Sequence, residues 1–214
     1  LKEKIDFRNK VTDCFYTSEN AKVDIEEMAN YLRRIFILNK FPISKYASGK
    51  ERTETLDLLY DFAKQNIENV QVEFDILKSQ VEKTHEIYSY FVASDSKLKN
   101  KLICECIFWA IRTIENDGDR GLVDVLSFKD EIKKHYLNKL NVYSSEGSHY
   151  YGNIMARFTD TSELFKKLFD FDFLTYIRKS NFKQEVTENI LKQKDSVVKI
   201  EQFENLRINK PSPI

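Results

Sequence analysis

The sequence predicts an all-α fold, a multi-helix bundle, on three observations. Gly and Pro are scarce, 5 and 3 in 214 residues, so turns are few and elements long. Apolar residues recur by threes and fours across residues 51–92, where neither Gly nor Pro occurs. Residues 101–114, KLICECIFWAIRTI, are apolar nearly all round. A helix of that kind must be buried nearly all round. At fourteen residues it falls short of the roughly 20 needed to span a bilayer, so it reads as the central helix of a core, covering about 99–114. Its polar positions shrink to one stripe of Lys101, Glu105 and Arg112, beside the single tryptophan, Trp109.

Taken in order, residues 2–16 carry Ile5, Val11, Cys14 and Phe15 at amphipathic spacing. Ser18 or Asp24 can cap a second helix bearing Val23, Met28, Leu32, Ile35 and Phe36. Residues 40–50, KFPISKYASGK, read as a loop, because Pro42 cannot continue the helix before it. The stretch 51–92 places Leu56, Leu59, Ala63, Ile67, Val70, Phe74, Leu77, Val81, Thr84, Tyr88 and Phe91 along one seam, close to a heptad. As one helix of ~1.5 Å per residue it would reach ~60 Å, so it must either project or break. Val70, Val72, Phe74 and Ile76 also alternate, and a short strand is the competing reading there.

After the central helix, residues 116–121, NDGDRG, form a polar turn. Ser127 is placed to cap a helix over 128–140 whose core face is Phe128, Ile132, Tyr136 and Leu140. Residues 141–148 are a second polar loop, and Gly152 weakens any helix begun at His149. Residues 159–162 offer caps for an aromatic helix over 163–179. Weaker amphipathic pieces follow at 182–193 and 196–206. The expected organisation is one all-helical domain over 1–207, divisible into a helical hairpin at 1–95 and a helical core at 96–207. Residues 208–214 read as the start of a linker, and the whole as a fragment or subunit of something larger.

Charge and cysteine usage narrow the function classes. Lys plus Arg and Asp plus Glu are 34 each, so no global field drives nucleic-acid binding. Three cysteines, two in the central helix, point to reduced thiols in a cytoplasmic setting. Cys104 and Cys106 are two apart, ~200° around a helix, and cannot share a metal ion without unwinding it. Asp117 and Asp119 lack the Gly and Glu of a calcium loop. Residues 48–50, Ser-Gly-Lys, lack the upstream Gly and following Ser or Thr of a phosphate loop. Asp170 and Asp172 fall on different helix faces. No catalytic, cofactor or metal site is therefore expected.

One local anomaly stands out. Residues 33–52 hold Arg33, Arg34, Lys40, Lys45, Lys50 and Arg52 against the single Glu51, a net of +5, with Tyr46 among them. Basic and aromatic side chains in a loop suit a phosphate backbone or an acidic partner. A weaker cluster is His149, Tyr150 and Arg157. The expectation is a non-catalytic helical interaction or scaffold module, meeting a protein partner or a second copy through the long helix, with no membrane. The alternative is a nucleic-acid-binding accessory domain using residues 33–52.

Overall fold

The computed structural model describes residues 2–16, 25–39, 42–117, 123–144 and 146–178. Helix makes up 83% of the structure and no strand occurs among the described residues, so the fold is all-α. No helix there is long and apolar enough to cross a membrane.

At the centre lies α6 (Lys101–Glu115), in which every residue from Leu102 to Ile114 is buried. Asn100 starts it: the side-chain oxygen accepts from Leu102 N at 2.8 Å, and Nδ2 donates to the Tyr143 carbonyl at 2.8 Å. Around it pack α1 (Lys2–Phe15), α2 (Ile25–Leu38), α5 (Val70–Ser94) and α8 (Tyr151–Phe169). Trp109 is 0% exposed, its ring edge-on to Phe158 at 5.0 Å and tilted against Phe173 at 5.3 Å. Lys101 alone of the polar stripe reaches the surface; Glu105 and Arg112 are buried.

The long apolar seam breaks rather than projects. It divides into α4 (Gly49–Asn66) and α5, and residues 70–76 are helix, not strand. Asn69 makes the break, its Oδ1 accepting from Gln71 N at 3.1 Å and Val72 N at 3.2 Å. A side chain that satisfies two orphan amides starts a new helix without any Gly or Pro.

Three expectations on the remaining elements are corrected. Within the predicted loop, Ile43–Ala47 form a short helix, α3, packed against α8 and α4. Pro42 is its N-cap, extended at φ −62° and ψ 139°, so the ring and the missing N–H fall outside the helix. Ser127 is not a cap: its Oγ donates to the Asp124 carbonyl at 2.9 Å within the 3₁₀ turn Val125–Phe128. The helix that follows, α7, is Lys129–Asn138. Residues 159–162 lie in the middle of α8, with Thr161 and Ser162 buried, rather than at its start. Gly152 falls in the first turn of α8, where its weak propensity does little harm. The helix then stops at Asp170, whose φ of 51° is a left-handed conformation that Asp tolerates. A short α9 (Leu174–Ile177) covers Trp109 through the preceding Phe173.

Ser18, Asp24, Lys40, the Gly118–Gly121 part of the polar turn, the two pieces at 182–193 and 196–206, and residues 208–214 lie outside the described residues.

Removing the Trp109 ring leaves a cavity between Phe158 and Phe173 in the best-covered part of the core. Trp109→Ala should lose ~3–5 kcal/mol in urea denaturation. Native emission should be that of indole shielded from water; a water-exposed emission maximum, or an Ala variant melting like the parent, contradicts a central α6.

Candidate functional site

The sequence-predicted cations do not form one surface row. Arg33 and Arg34 sit exposed on α2. Arg33 Nη1 donates to Asn30 Oδ1 at 3.0 Å, and its guanidinium lies 5.3 Å from the Tyr60 ring centre. Lys45 and Tyr46 are on α3, with Lys45 only 8% exposed. Lys50 and Arg52 open α4, and the Arg52 guanidinium lies 5.5 Å from the Tyr46 ring centre. Lys40 is outside the described residues.

The secondary cluster separates. His149 and Tyr150 are exposed near the start of α8, their rings 4.3 Å apart. Arg157, two turns further on, is 3% exposed, and its Nε and Nη1 meet no hydrogen-bond partner. Its charge falls instead on Tyr46 and Glu105. Burial, then the Glu105 carboxylate, pushes the Tyr46 hydroxyl up to about 12, against Arg52, Arg34 and Arg157. Burial also raises Glu105, with Arg157 and the Tyr31 hydroxyl pulling the other way. So α2, α4 and α8 bring the charges of Arg34, Arg52 and Arg157 to bear on Tyr46 of α3, and Arg157 acts also on the buried Glu105 of α6.

Reactive chemistry finds little footing among the described residues. Burial raises the Cys104 and Cys106 thiols, which keeps them protonated, and no cysteine is bonded to another. No group of His, Cys, Asp and Glu there is arranged to hold a metal ion.

The middle of the long seam lies open, in a groove whose other walls the sequence did not single out. An apolar groove of about 480 Å³ runs between α1, α2, α4 and α5. Phe7 and Phe74 meet edge to face at 5.3 Å in its wall. Also lining it are Ala63, Ile67, Val70, Phe74 and Leu77, the five consecutive middle positions of the seam. At either end that seam is closed: Leu56, Leu59, Val81, Thr84, Tyr88 and Phe91 are buried. In the middle Val70 is 74% and Phe74 39% exposed. A second, polar cavity of about 340 Å³ adjoins it, sharing Arg33, Ile37 and Tyr60 and adding Asn30, Arg34, Thr53 and Asp57.

A further group missed by sequence reasoning ties α7 to α8. Asp160 Oδ2 accepts from the Tyr143 hydroxyl at 2.8 Å and lies 2.8 Å from His135 Nε2; Thr161 Oγ1 lies 2.9 Å from that same hydroxyl and 3.1 Å from that of Tyr136. Sequence separations of 17 and 25 residues put these pairs beyond any helical spacing rule.

No family model, no curated protein and no solved structure matches the chain.

Burial raises Asp160, but hydrogen bonds from His135 and Tyr143 outweigh it, and the carboxyl sits below its ordinary value of 3.8. A depressed folded-state value adds stability above pH 3.8, lost as the pH falls through the folded value. Asp160→Asn should therefore be less stable than the parent at neutral pH, with the gap closing below about pH 4. Thermal melts across the acid range check this; a gap constant with pH contradicts it.

Proposed function

We propose that the chain is a non-catalytic helical interaction module, one part of a larger protein or complex, and that its docking surface is the groove between α1, α2, α4 and α5. One observation carries this reading: the seam is buried at both ends and gapes over residues 63–77. An apolar stripe at helical spacing is ordinarily covered, and a contiguous exposed patch marks a surface that meets a partner. Leu32 and Ile37 of its lining are buried in the core, and Phe7 and Phe36 pack against that core, so the surface is held in shape before anything binds.

A second reading, a nucleic-acid-binding accessory domain, is favoured by the two arginine–tyrosine stacks, Arg33 on Tyr60 and Arg52 on Tyr46. Burial of Lys45 and Arg157 leaves fewer cations for phosphates than the sequence counts, so the groove carries the stronger proposal.

Val70 separates binding from folding. At 74% exposure, replacing it should change stability by less than ~0.5 kcal/mol. A photo-crosslinking amino acid in place of Val70, introduced in cells that make the protein, should give a discrete protein adduct. The same group in place of Tyr151, 52% exposed on α8, should not. An adduct of twice the chain mass identifies a second copy; equal labelling from both positions, or none from Val70, contradicts the groove as docking surface.

A further inference from the structure

We infer that the groove's occupant is an amphipathic helix of a partner protein whose apolar face is flanked by acidic side chains. This rests on the interaction reading and adds the partner's chemistry, from the register of α5 and the charges along the groove.

Val70, Phe74, Leu77 and Val81 advance by four, three and four, so they form one ridge down a single face of α5. At Val81 and beyond the ridge is covered by α6, which ends where Gln80 Nε2 donates to Glu115 Oε2 at 2.9 Å. N-terminal to that point the same ridge runs on along the groove, with Val70 and Phe74 open to solvent. A ridge spaced for a helix is met by another helix. A small amphiphile would instead be enclosed on most sides, and this groove is open along the Val70 edge.

Charge decides which helix. Among the described residues Glu73 is the one carboxylate on the groove wall, and it is committed to Arg112, whose Nη2 lies 3.4 Å from its Oε2. The wall's other described charges are Arg33 and Lys64; the adjoining cavity adds Arg34 and the carboxylate Asp57. Among the described residues none of these three cations forms an ion pair. Arg33 is already held by Asn30 and by the Tyr60 ring, so less freedom is lost when a carboxylate meets it. The edge nearest α2 and α4 is thus preset for negative charge.

Two fluorescein-labelled designed peptides test this, each roughly five helical turns long, with Leu at positions i, i+4 and i+7. One carries Glu on both flanks of the Leu stripe and its twin carries Lys. In anisotropy titrations against the whole chain, the Glu peptide should bind at least ~10-fold more tightly than the Lys peptide, with the gap shrinking as salt is added. The Arg33→Glu, Arg34→Glu double variant should reverse the order, and Val70→Asp should weaken both. Both side chains of the double variant are exposed, and an unchanged melt confirms that it folds. Equal binding of the two peptides, unaffected by the double variant, overturns the acidic partner while leaving the docking surface standing. Binding of dodecanoate with neither peptide bound overturns the helix in favour of a small amphiphile. Failure of all three, with crosslinking at Val70 intact, overturns this inference alone; failure of that crosslink as well removes the interaction reading too.

Discussion

A helix that is apolar on all sides has to be covered on all sides, and the rest of this structure answers that demand. Four helices close on α6, from α1 and α2 before the seam to α8 near the end of the described chain. Three of them, α1, α2 and α5, come before α6 in sequence and one, α8, comes after. The aromatic content is spent on this contact, with Phe108 against Phe15 at 5.9 Å and Trp109 against Phe158 and Phe173. Edge-to-face geometry of that sort adds to the burial of the rings themselves.

Two charges on α6 cannot escape the burial, and the protein treats them differently. Arg112 is 3% exposed, and burial pulls it down from its ordinary value. It is compensated by Glu73 and Gln80 of α5 and by the face of Phe36, 3.8 Å below the guanidinium. Glu105 is compensated less directly, by the field of Arg157. These solutions reach outward. Phe36 and Glu73 both line the groove, so anchoring Arg112 also sets the positions of α2 and α5 at its wall. Arg157 is drawn inward for Glu105 and so joins Arg34, Tyr46 and Arg52 rather than His149 and Tyr150. The surface features are consequences of what the core had to bury.

This divides what could be read from the chain from what could not. Periodicity and apolar density locate α6, the all-α class and most helices, because those signals are repeated over many residues. The break at Asn69 rests on one side chain bonding two amides, a signal too short to outweigh a seam of eleven positions. The helix at Ile43–Ala47 follows from its packing on α8, more than a hundred residues away in sequence, which no local propensity contains. The same distance hides the company Arg157 keeps and the Tyr143–Asp160–His135 group. Composition did show that residues 33–52 are basic. That Lys45 turns inward while Arg33 stands over Tyr60 depends on the fold. The groove was legible in half: the seam positions are plain, but their lack of a cover at 63–77 is a property of where α6 ends.

The measurement that bears most directly on this account is native-state hydrogen exchange, residue by residue. If the covering of α6 is the constraint on which the fold depends, amides of residues 104–114 should exchange only through global unfolding and be the slowest in the chain. Amides of residues 66–74, at the open elbow of the groove, should exchange orders of magnitude faster through local opening. Comparable rates in the two segments, or earlier exchange in α6, would contradict the claim that the other helices are organised around it.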